Sequence, residues 1–123
     1  MCLLHEVLSA DDEAITCRAV NHRDPDHPLR EAGILPALAG IEYAAQAMAV
    51  HGALRKNSAA RSGVLAAVRD VVLYVERLDD VRDDLMLTAR RLLNDRTRLL
   101  YEFELRGGAR ALVRGRAVVV LGK

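Results

Sequence analysis

Apolar and polar positions divide the chain into strand-like stretches on either side of one helix-like stretch. Leu3 to Leu8 is short and mostly apolar and ends at Ser9-Ala10-Asp11-Asp12, which predicts a strand running into a turn. Ala14 to Val20, with Ile15, Thr16, Cys17 and Val20, suits the second strand of a hairpin. Asn21-His22-Arg23-Asp24-Pro25-Asp26-His27-Pro28 follows as a polar loop with two prolines and no periodicity. Loops of that kind often carry function. From Ala37 to Leu54 nearly every position is small or apolar. Pro36 is tolerated at the start of such a helix, where its missing N–H has no partner to lose. Six alanines and a glycine between Ala37 and Val50 thin the cylinder, so other elements can approach its backbone. A helix apolar all round is expected to be buried all round. Arg55-Lys56-Asn57-Ser58 then supplies positive charge at its C-terminal end and a polar exit.

The remainder is strand-like. Val64 to Val75, Leu85 to Leu93, Leu99 to Leu105 and Ala109 to Leu121 are separated by the turn signals Asp79-Asp80, Asn94-Asp95 and Gly107-Gly108. Tyr101, Phe103 and Leu105 alternate with Glu102 and Glu104, a period of two that marks a half-buried strand. The glycine pair suits a hairpin connection in which φ turns positive. The order is therefore two strands, one long helix and further strands. The class is α+β. An antiparallel sheet with one central helix must curl around that helix to bury it, and that arrangement is the hotdog fold. At 123 residues the chain has room for a single domain, 1–123. A lone hotdog leaves part of the helix and one side of its sheet uncovered, so a homodimer, or a heterodimer with another hotdog subunit, is expected.

Composition narrows the function. Apolar residues make up 51% and charged residues 28%, as in ordinary globular domains. A net charge of +1 gives no basic field for nucleic acid, and 3% aromatics leave little for base stacking. Cys2 and Cys17 lack metal-ligand spacing and suit a reducing compartment. The start of the chain does not read as a signal peptide, and Leu35 to Val50 is short for a membrane span and broken by Glu42 and Gln46. The expectation is a cytoplasmic protein with no membrane and no metal. No Gly-rich phosphate loop appears. Arg110, Arg114 and Arg116 alternate with Ala111, Val113 and Ala117, which reads as a solvated strand face or as a docking face for an acidic partner.

Glu42 is the sharpest feature. Ile41, Ala44, Ala45 and Ala39 offer it no positive charge, and isolated carboxylates are seldom buried. Gln46, four residues on, lies on the same helical face. The pair is either a solvated or hydrogen-bonded pair at a dimer edge, or a carboxyl in an apolar tunnel whose desolvation prepares it for acid–base work.

Leu35-Pro36-Ala37-Leu38-Ala39-Gly40-Ile41-Glu42-Tyr43-Ala44-Ala45-Gln46 resembles the start of the central helix in 3-hydroxyacyl-acyl carrier protein dehydratases. In that family a Pro-Gly pair precedes the catalytic acid at this spacing, and Gln follows four positions later. The segment from Met1 to Leu8 resembles the family's first strand, and the Gly63 to Val75 run resembles the strand after the helix. The likeness is strongest to the branch encoded with aryl polyene clusters. The chain starts close to that first strand, so an N-terminal segment found in some members is expected to be missing.

The resemblance implies a mechanism. A histidine removes the α-proton of a 3-hydroxyacyl thioester, and the helix carboxyl of the other subunit helps expel hydroxide as water. The helix N-terminus stabilises charge on the thioester oxygen. Carried over, Glu42 is the acid, Gln46 its companion, and Ala37 stands where a glycine N–H would bind the oxygen. The family's His-Phe-Pro-Gly stretch is absent. His27, fifteen residues before Glu42, and His22 are the two candidate bases, and a site without a catalytic histidine stays open. His51, on the opposite helical face, and His5 suit structural roles. The implied substrate rides on the phosphopantetheine of an acyl carrier protein, with no cofactor bound by the chain itself. The resemblance thus implies a dehydratase in fatty acid or polyene biosynthesis. The alternatives are a catalytically incomplete subunit partnering an active dehydratase, or a hotdog acyl thioesterase that activates water with the helix carboxylate.

Overall fold

The computed structural model describes residues 2–54, 63–95 and 97–121. Strands β1 (Glu6–Ala10) and β2 (Ala14–Ala19) form the first hairpin. A 3-10 turn at Ala37–Ala39 leads into helix α1 (Gly40–Leu54). Strands β3 (Gly63–Leu73), β4 (Leu85–Asn94), β5 (Arg98–Gly107) and β6 (Arg110–Leu121) complete one sheet. Its order is β1-β2-β4-β5-β6-β3, with every neighbouring pair antiparallel. α1 lies against β2, β4 and β5. This is the expected hotdog architecture. The cluster Arg55-Lys56-Asn57-Ser58 lies outside the described residues.

The period of two in β5 does what it predicts. Tyr101, Phe103 and Leu105 are buried, while Glu102 is exposed and Glu104 half-buried on the other face. Each such burial contributes roughly 1.5–3 kcal/mol. Gly115 of β6 pairs with Phe103. A Cβ on Gly115 would stand 2.8 Å from the Phe103 ring and 3.2 Å from Val71, so the absent side chain makes room for that ring. In the β5–β6 hairpin the positive φ falls on Gly108 alone, at 61°, and Gly107 belongs to the strand.

The helix is not buried all round within one chain. Tyr43, Ala44, Ala47, Met48 and His51 face the core, whereas Leu38, Glu42 and Ala49 are exposed. Leu38 keeps 56% of its surface. β3 forms one edge of the sheet and leaves Val64, Val72 and Leu73 exposed. Small residues give close approach to the sheet but specify rotation poorly. Polar side chains supply that specification. Gln46 Oε1 accepts the Leu3 N–H at 2.7 Å, and both His51 ring nitrogens are bonded, one to Tyr101 and one to the Asp11 carbonyl.

Candidate active site

The start of the helix is held by the turn that follows β3. Leu35 to Ala37 runs antiparallel to Glu76 to Leu78: Leu78 donates its N–H to the Leu35 carbonyl at 2.8 Å, and Ala37 donates to the Glu76 carbonyl at 3.0 Å. Asp79 clamps the same segment. Its Oδ1 accepts the Leu35 N–H at 3.0 Å, and the Arg77 guanidinium grips both of its oxygens. Arg77 is the main reason the Asp79 carboxyl is held down at about 2. In the sequence Asp79 stands only as part of the Asp79-Asp80 turn signal. Nothing in its spacing to Leu35 could reveal the clamp, because the contact spans 44 positions.

That geometry bears on Ala37. Its N–H, which the resemblance assigns to the thioester oxygen, is already bonded to Glu76. Glu42 sits in the first turn of α1, exposed, and makes no hydrogen bond or ion pair with the described residues. The apolar tunnel expected around it is not formed by this chain alone, since Leu38 beside it also faces outward. Gln46 is not its hydrogen-bond companion at Oε1, which serves Leu3.

The two candidate bases are both buried, His22 at 0% and His27 at 4% exposure. The Leu29 N–H donates to His27 Nδ1 at 3.1 Å, so Nδ1 carries a lone pair and the ring proton sits on Nε2. Nε2–H then donates to the Tyr43 hydroxyl at 2.9 Å, and that hydroxyl donates to Asn21 Oδ1, also at 2.9 Å. Every member of this chain is satisfied. His27 is thereby committed to the fold of its own subunit, with Tyr43 of α1 as its partner. His22 differs. Its Nε2 donates to the Val81 carbonyl at 2.8 Å, while its buried Nδ1 has no hydrogen-bond partner among the described residues. Burial lowers the pKa of both rings below the ordinary histidine value, with Arg30 adding to the effect at His27. Neither ring is bonded to Glu42.

His51 is structural, as expected: the Asp11 carbonyl fixes the proton on Nε2, so Nδ1 accepts from Tyr101 at 2.6 Å. His5 is exposed just before β1. No cluster of three or more His, Cys, Asp or Glu among the described residues could hold a metal, and no described helix is long and apolar enough to cross a membrane. Two of the three β6 arginines are matched across the sheet: Arg114 lies 3.4 Å from Glu104, and Arg116 is in register with Glu102. These residues line a depression of about 550 Å³ with Asp70, Tyr74 and Arg90. It lies on the charged sheet face, opposite the helix.

A family model for ApeP-like proteins, described as ApeP dehydratase, matches residues 1–122. No curated protein sequence matches the chain. Among solved structures, the dehydratase heterocomplex ApeI:P from Xenorhabdus doucetiae aligns with 23% identity and a TM-score of 0.76, over 99% of this chain and 84% of that one. A mutant thioesterase from Pseudomonas aeruginosa aligns with 17% identity and a TM-score of 0.71, over 94% and 79%. A thioesterase from Haemophilus influenzae gives 11% and 0.72, over 96% and 78%. At these identities the structures establish the hotdog fold and nothing narrower.

Proposed function

The chain belongs to the ApeP-like family of dehydratases, and from that premise we propose that it is one half of a paired hotdog unit that dehydrates 3-hydroxyacyl thioesters. The observation that carries this reading is Glu42, a carboxyl in the first turn of α1 that is bonded to none of the described residues, on the stripe that they leave uncovered. A second hotdog subunit packed on that stripe would remove water from around the carboxyl and make it a proton donor. The structurally similar chain belongs to a dehydratase heterocomplex, ApeI:P, which supports such pairing.

In the proposed reaction a base takes the α-proton, the Cα–Cβ double bond forms, and the β-hydroxyl leaves with a proton from Glu42 as water. The positive end of α1 faces the thioester oxygen. Ala37 reaches that oxygen with its N–H only by releasing Glu76. His22 Nδ1 is this chain's candidate base. His27 would have to release the Leu29 N–H from its one lone pair first, which argues against it. The acyl group is expected on the phosphopantetheine of an acyl carrier protein, and no cofactor of the chain's own is needed. The free thiols of Cys2 and Cys17 suit the cytoplasm.

A second reading has its own support. With His27 locked, the Ala37 N–H occupied and the His-Phe-Pro-Gly stretch absent, this chain would complete a pair whose working site belongs to the partner. One assay separates the readings. A 3-hydroxyacyl carrier protein is incubated with this chain alone and with this chain plus a second hotdog dehydratase subunit, and products are read by mass. Loss of water with this chain alone supports the leading reading. Loss only in the mixture supports the partner reading. Free acid in place of the enoyl product would instead point to thioester hydrolysis, and no change in any arm would overturn both dehydratase readings.

A further inference from the structure

The loop between β2 and the helix is fastened at three points, and two of them are histidines. His22 donates to the Val81 carbonyl, His27 is bonded to Tyr43 of α1, and Arg30 lies 3.8 Å from Asp79 while also donating to the Asp24 and Gly33 carbonyls. Between these points the backbone makes three consecutive turns, closed by Asp24 N–H to Asn21, His27 N–H to Asp24 and Arg30 N–H to His27. The middle fastening is the one that tolerates a single protonation state.

We infer that His27 is a proton-sensitive latch that holds the Asn21–Arg30 loop on α1 while its ring is neutral and releases it when the ring is protonated. The direction of the hydrogen bonds compels this. The Leu29 amide can only donate, so it needs a lone pair on His27 Nδ1. A proton there sets N–H against N–H inside a pocket where the ring is 4% exposed. Flipping the ring does not repair the conflict, because it puts Cδ2 and Cε1 where the nitrogens stood and leaves the Leu29 N–H without an acceptor. The groups facing His27 oppose a charge on balance. From the loop, Arg30 and His22 disfavour it and Asp24 favours it; from α1 comes only the Tyr43 hydroxyl, whose own ionisation burial pushes up. Protonation of His22 breaks no bond, since its Nε2–H already donates and its Nδ1 has no donor pointing at it among the described residues. His51 fastens the β1–β2 turn to the other end of α1, away from this loop. The latch does not depend on the dehydratase reading.

Amide hydrogen exchange of the whole chain at pH 7.5 and pH 5.5, corrected for the intrinsic pH dependence of exchange, tests it. The expected result is that residues 23–30 lose protection about tenfold at the lower pH, while β4 and β5 keep theirs. His27→Gln presents one acceptor and one donor without a titration, and should keep the loop protected at both pH values. His22→Asn should retain the wild-type response. Imidazole ¹⁵N shifts of the unaltered protein give a test that needs no variant: His27 should carry its proton on Nε2 at pH 7.5 and gain the second proton in step with loop exchange. Loop protection that is the same at both pH values overturns the latch. So does a pH response that survives His27→Gln, or a His27 proton found on Nδ1.

Discussion

Replacing Asp79 separates the two things its carboxylate does. It accepts the N–H of Leu35, a residue with 0% exposure, and it pairs with Arg77, whose side chain is 41% exposed. In Asp79→Ala the Leu35 N–H loses its acceptor in a buried setting, a loss of about 1–3 kcal/mol. Arg77 returns to water, so its half of the interaction is worth at most about 1 kcal/mol. The two together come to roughly 1–4 kcal/mol. Asp79→Asn keeps an oxygen for Leu35 and gives up only the charge, so it should cost about 1 kcal/mol. Urea unfolding at pH 7.5 measures both, with an unchanged m-value showing that only stability moved. Exchange at the Leu35 amide should rise in the alanine variant and stay slow in the asparagine variant. If the two substitutions cost the same, the N–H contact contributes nothing beyond the ion pair and the clamp is wrongly drawn. If both cost less than about 0.5 kcal/mol, the helix start is held by the Leu35–Leu78 and Ala37–Glu76 backbone bonds alone.

Acid should weaken the fold ahead of any carboxylate effect. His22 and His27 are held below the ordinary 6.5, so as pH falls past that value the unfolded chain binds protons that the folded chain refuses. Stability therefore rises with pH in this window, and urea midpoints at pH 7.5, 6.5 and 5.5 should fall in that order; a flat series would contradict the burial of these rings. Gly115→Ala should cost about 1–3 kcal/mol, because the new methyl would sit 2.8 Å from the Phe103 ring with Val71 at 3.2 Å on the other side. Thermal unfolding checks it, and a neutral result would mean the ring has room to retreat.

The sheet and helix were legible in the sequence because burial imposes a period on each element. Tyr101, Phe103 and Leu105 announce β5, and the run from Ala37 to Leu54 announces a helix packed close to its neighbours. The first strand begins a few residues later than the apolar run from Leu3 predicts. Leu3 is buried, but Gln46 holds it there outside the sheet, so burial and strand pairing do not coincide at that end. The exposure of Leu38 and Glu42 was not legible, because an apolar helix face looks the same whether its cover comes from its own chain or from a second one. The site was half legible. A dozen residues around Glu42 carry the family resemblance. The histidines could not be sorted by sequence, since what separates them is bonding to Tyr43, Asn21, Leu29 and Val81, groups that reach them through the fold.

The central claim is that Glu42 is the proton donor of a dehydratase site. It is tested most directly by Glu42→Gln in whichever assembly turns over a 3-hydroxyacyl carrier protein. Glu42 is exposed and bonded to none of the described residues, so the substitution should leave the unfolding midpoint of the chain unchanged. The rate of enoyl formation should fall by about a hundredfold or more, the usual cost of losing a positioned acid. Undiminished turnover by the Glu42→Gln assembly would contradict the account.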